Sequence, residues 1–158
     1  MNPVSVNQSM KEPSELLQQA RALMSGQRDR IANAANLSAL LFHGLEDVNW
    51  AGFYFVRGDH LMVGPFQGKP ACVRIPLGKG VCGTAAATRQ VQRVADVHAF
   101  DGHIACDVNS RSEIVLPLVL NGELIGVLDL DSPLSNRFSE TDEKLLRQIS
   151  DIYIASID

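Results

Sequence analysis

Apolar positions along the chain repeat with two different periods. After Pro13, Leu16, Leu17, Ala20, Leu23 and Met24 recur at helical spacing, and Gly26 ends the run. A second helix is predicted over 29–43, burying Ile31, Ala34, Ala35, Leu41 and Phe42 and stopping at Gly44. A last helix is predicted to open at Ser139, with Asp142 at its third position as a capping residue. Leu145, Leu146, Ile149, Ile152 and Tyr153 form its apolar stripe.

Between these helices the period shortens to two. The run 48–56 (VNWAGFYFV) reads as a strand that puts Trp50, Gly52 and Tyr54 on one face and Ala51, Phe53 and Phe55 on the other. Arg57-Gly58-Asp59 supplies a turn before a short strand over 60–64. Short strands are expected at 73–75 and 91–94, and the alanine-rich run 81–88 reads as a helix start. The runs 113–120 and 123–130 are strands joined by Asn121-Gly122, the strongest hairpin signal in the chain. By contrast 96–111 has no period and much Asp, His, Asn and Gly, which predicts a long loop of the kind that carries function.

This order implies an α+β fold: a central antiparallel sheet, helices on one face, and loops covering a pocket on the other. Residues 1–12 read as a polar, patternless tail and 13–158 as one domain, since 158 residues with 46% hydrophobic content suit a single core. The first residues have neither a basic nor an apolar leader region, and no run approaches a membrane span, so the expectation is a soluble cytoplasmic protein. Fourteen basic against eighteen acidic residues give a net charge of -4, which argues against nucleic acid or an anionic membrane as partner.

Strand alternation then selects the residues that can carry chemistry. Asp129 and Asp131 share one face of a strand, and Glu113 opens the partner strand, so three carboxylates can converge. Each taken singly can equally be a solvated strand end, but Asp129 interrupts the apolar run LIGVLDLD, where an acid needs a partner such as an amino group. Phe53 and Phe55 are the more apolar pair and belong to the core, which leaves Trp50 and Tyr54 to wall a pocket.

The three cysteines remain. Cys106 lies in the polar loop near His103 and Arg111, and is either a small buried hydrophobe or an exposed, partly ionised thiol, with Asp107 opposing ionisation. Cys72 is flanked by Pro70 and Pro76, which suggests an edge position; Cys82 at a helix start is expected to be packed, although a helix N-terminus also lowers a thiol's pKa and keeps it a candidate. With no close C-x-x-C pair, the spacing predicts no metal site.

Taken in order, NWAGFYFV, ACVRIPLGKGVCG, DGHIACDVNSRSEIVLPL and NGELIGVLDLDS resemble the free methionine-(R)-sulfoxide reductase family, a group of stand-alone GAF domains. The resemblance implies a GAF fold with a ligand cavity, Cys106 as nucleophile, Cys72 as main resolving thiol and Cys82 as auxiliary thiol. It also implies Glu113, Asp129 and Asp131 as substrate-binding acids beside Trp50 and Tyr54. Free methionine-R-sulfoxide as substrate, thioredoxin or a similar dithiol as reductant, a homodimer and no cofactor complete the expectation. One alternative is a ligand-sensing GAF module, because Asn136-Arg137-Phe138 with Asp142-Glu143 resembles a nucleotide-binding pattern in which Arg replaces Lys; a helix cap accounts for the same residues. Another is a redox switch that forms the disulfide without a dedicated substrate.

Overall fold

The computed structural model describes residues 12–102 and 109–157. Helices α1 (Pro13–Met24) and α2 (Arg30–Gly44) precede strands β1 (Trp50–Arg57), β2 (His60–Gly68) and β3 (Arg74–Pro76). Helix α3 (Gly80–Thr88), strand β4 (Gln92–Val94) and a one-turn helix (Val97–Ala99) follow, then β5 (Ser112–Leu120), β6 (Glu123–Ser132) and α4 (Glu140–Ser156). The six strands form one sheet in the order β3-β2-β1-β6-β5-β4, and its pairings are antiparallel. The α+β order, the Asn121-Gly122 hairpin and the capped last helix are as the sequence predicts.

The two faces of β1 separate the molecule into two apolar layers. Ala51, Phe53 and Phe55 face α1, α2 and α4 in the larger core, where Phe53 packs on Tyr153 with ring centroids 4.8 Å apart. Trp50 and Tyr54 face the other way, into a smaller cluster with Val81, Cys82, Ala85, Val115 and Val127. Helix α3 belongs to this second layer, so the expectation of helices on one face holds for α1, α2 and α4 but not for α3. Its run GVCGTAAA has small apolar residues all round, which lets it lie against the pocket side of the sheet.

Hydropathy misplaces part of α2. Ile31 is 53% exposed and Ala35 is also exposed, whereas Asn33 and Ser38 are buried with Ala34, Leu37 and Leu41. Ser38 is satisfied locally, its Oγ donating to Ala34 O at 2.7 Å, whereas Asn33 is only half satisfied: Nδ2 donates to Gln27 O at 2.8 Å and the buried Oδ1 has no partner. Strand β2 also runs past 64, because a register shift opposite Gly52–Tyr54 absorbs an extra residue beside Pro65 and pairing resumes at Phe66–Gly68.

Candidate active site

Register across the three central strands builds the site. Trp50, Asp131 and Glu113 are cross-strand neighbours on one rung, and Gly52, Asp129 and Val115 form the next. Residues two apart on a strand share a face, so the acids and aromatics meet on the pocket side, as their alternation predicts. Gly52 is required here: a Cβ would collide with Phe66, whose ring stacks on Trp50 with centroids 5.2 Å apart. Trp50 and Tyr54 themselves stack at 5.8 Å.

These residues line a cavity closed on its other side by the start of α3 and by Pro70, Ala71 and Ile75. Backbone carbonyls fix the aromatic wall: Trp50 Nε1 donates to Lys69 O at 3.1 Å, and Tyr54 Oη donates to Cys72 O at 3.0 Å. Half-buried Cys72, between β2 and β3, is half of a disulfide, and Cys82 is a free thiol buried in the first turn of α3. Cys106 and His103 lie outside the described residues.

The acid cluster is largely desolvated. Glu113 is 8% and Asp129 4% exposed, while Asp131 is half-buried. Burial first, and then the charge of Asp131, pushes the Asp129 carboxyl up to about 8. Burial followed by the charge of Asp129 likewise raises Glu113 well above the carboxylate range. The Cys82 thiol is raised by burial and then by Asp129, Glu113 and Asp131, so its position at a helix start does not make it a thiolate. Its Sγ–H faces Glu113 Oε2 at 3.9 Å. The arrangement therefore holds protons at neutral pH, and can donate them to a ligand oxygen or release them to receive a cation.

Periodicity missed part of the lining. Ser110 and Lys79 also face the cavity, from loop positions without a repeat to mark them. Ser110 Oγ is buried without a hydrogen-bond partner, as is Asp129 Oδ1. The absence of a C-x-x-C pair also did not anticipate that Cys82, Glu113 and Asp129 come together; one ligand atom of each lies within 4.8 Å of the others. The Asn136-Arg137-Phe138 pattern has a structural role instead. Arg137 Nη1 pairs with Asp142 Oδ2 at 3.0 Å, and Ser139 with Asp142 forms the capping box of α4.

The GAF domain family matches residues 11–157. The free methionine-R-sulfoxide reductase of Escherichia coli (strain K12) is 59% identical over 136 residues, which cover 86% of this chain and 82% of that protein. The chain belongs to the free methionine-R-sulfoxide reductase family of GAF domains. Two solved members of the family carry substrate. That of Staphylococcus aureus is 48% identical with a TM-score of 0.89, covering 93% of this chain and 96% of its own. That of Neisseria meningitidis is 43% identical with a TM-score of 0.88, covering 91% and 87%. Among the described residues no helix is long and apolar enough to cross a membrane.

Proposed function

We propose that the protein reduces free L-methionine-(R)-sulfoxide to methionine in the cavity between Trp50, Tyr54 and the three acids. The observation that carries this reading is the trio of buried Glu113 and Asp129 with half-buried Asp131 on one sheet face, with Asp129 Oδ1 lacking a hydrogen-bond partner. A protonated amino group would supply that partner, and a peptide-bound methionine has none to offer. Family membership supports the same chemistry.

In this reading the Cys106 thiol attacks the sulfoxide sulfur while Glu113, held protonated by burial, gives a hydrogen bond and then a proton to the sulfoxide oxygen. The oxygen passes from the substrate sulfur to Cys106 Sγ as the sulfur–oxygen bond and the transient sulfur–sulfur bond break. Methionine leaves reduced by two electrons, the thiol's own proton replaces the one Glu113 gave, and Cys106, oxidised by two electrons, becomes a sulfenic acid. The Cys72 thiol condenses with it, releasing water and forming a disulfide. An external dithiol of the thioredoxin type then reduces that disulfide by exchange and is itself oxidised. The disulfide at Cys72 and the free thiol at Cys82 support this division of roles, with Cys82 as auxiliary.

The test is consumption of racemic free methionine sulfoxide with excess dithiol. Reduction is expected to stop when half of the sulfoxide is gone, leaving the S epimer. Complete consumption, or none, contradicts the proposal.

A further inference from the structure

We propose that Cys82, Glu113 and Asp129 form a site for a thiophilic divalent cation of the Zn2+ type, which occupies the cavity floor in place of the substrate's amino group. The three residues come from separate rigid elements, α3, β5 and β6, and their ligand atoms lie within 4.8 Å of one another. Tetrahedral zinc, with bonds of about 2.3 Å to sulfur and about 2.0–2.2 Å to oxygen, sets neighbouring ligands roughly 3.5 Å apart. Cys82 Sγ and Glu113 Oε2 are already 3.9 Å apart, so small rotations close the shell.

A second observation points to a ligand at the same place. Asp129 Oδ1 and Ser110 Oγ are both buried without a hydrogen-bond partner, and both residues line this cavity. Desolvated oxygens in that state carry a cost that a ligand removes. One sulfur and two carboxylates suit zinc or cadmium, and are poor for magnesium or calcium, which take shells of six or more oxygens. Three protein ligands leave a fourth position open to the cavity for water. Competition with substrate rests on the proposed function; the ion site itself does not.

The probe is Cd2+, titrated into reduced protein carrying Cys72→Ser and Cys106→Ser, so that Cys82 is the only thiol left of three. A thiolate-to-cadmium charge-transfer band in the ultraviolet is expected to saturate at one equivalent and to be bleached by Zn2+. Adding Cys82→Ser should abolish the band, and Glu113→Gln or Asp129→Asn should weaken cadmium binding by at least about tenfold. No band in the folded protein, or equal affinity in both acid variants, overturns the site. If those variants do not fold, thermal unfolding of the double-serine protein decides: Zn2+ should raise the midpoint, and no shift overturns the proposal. Free methionine sulfoxide should displace the ion. A band that persists at saturating sulfoxide contradicts the shared floor, whereas loss of the site itself is read from the band without reference to activity.

Discussion

Tyr54 Oη donates a hydrogen bond to the backbone carbonyl of Cys72 at 3.0 Å, so the cavity's aromatic wall and the segment that carries a candidate redox thiol are one connected unit. Tyr54 is 2% exposed and burial keeps its phenol protonated, which fixes its role as donor. Tyr54→Phe keeps the ring stacked on Trp50 but removes the tether at Cys72 in the middle of the 69–73 segment, whose Lys69 and Val73 carbonyls stay bonded to Trp50 Nε1 and Val63 N. The expected cost is about 1 kcal/mol of stability. Misplacing Cys72 by a similar energy should slow disulfide formation by about fivefold while leaving the first methionine release intact. Rapid-quench measurement of both phases checks this; unchanged resolution would show that the hydrogen bond does not position Cys72.

Asp129 makes a second prediction through its pH dependence. Its folded value of about 8 lies above the ordinary 3.8, so between those values the unfolded chain is ionised there and the native protein holds a proton. Stability from this group is therefore complete below about pH 4 and declines as pH rises towards 8, by up to ~1.4 kcal/mol per pH unit for one such site. Asp129→Asn should flatten that decline and stabilise the protein near neutral pH, while weakening substrate. Urea unfolding of both proteins across pH 5 to about 8.5 reads the effect. Parallel profiles in the two proteins would mean that Asp129 is ionised in the native state.

Asp131 is less buried and should act mainly as a charge. Asp131→Asn is expected to weaken free methionine sulfoxide by roughly 1.5–3 kcal/mol, the usual worth of a charge-assisted hydrogen bond. The maximal rate should change little. An unchanged apparent affinity with a collapsed rate would instead assign Asp131 to proton transfer.

The fold was legible wherever one face of an element decides its neighbours. Alternation alone separates Trp50 and Tyr54 from Phe53 and Phe55, and Asn121-Gly122 marks the hairpin; the register that brings Glu113 opposite Asp131 also needs a one-residue shift at Leu118–Val119, which local spacing does not mark. It fails where polar side chains bond in place, as Asn33 Nδ2 and Ser38 Oγ do in α2. It also fails for α3, whose apolar surface has no side. Of the candidate site, the acids and aromatics carry a period that places them on the face lining the cavity. Ser110 and Lys79 sit on loops and carry none, and the approach of Cys82 to Glu113 depends on how α3 docks, a tertiary fact that local spacing does not encode.

In the proposed mechanism the thiols divide the reaction into two phases that variants should separate. Cys106→Ser is expected to abolish even a single turnover, because a serine hydroxyl is a far weaker nucleophile near neutral pH. Cys72→Ser should release about one methionine per chain and then stall, since the sulfenic acid forms but is resolved slowly. Exchange of these two behaviours would reverse the roles.

The proposed function requires a cavity that recognises a free amino group and presents one face of the sulfoxide to a thiol. Its most direct test compares methionine release from the R and S epimers of free methionine sulfoxide, from the N-acetylated R epimer and from an oxidised peptide, all with thioredoxin as reductant. Swapping oxygen and lone pair on sulfur moves the oxygen away from Glu113, and capping the amine leaves Asp129 buried without its partner. The free R epimer should turn over, and the other three should be reduced at least about a hundredfold more slowly. Equal rates on the peptide and the free R epimer would contradict the account.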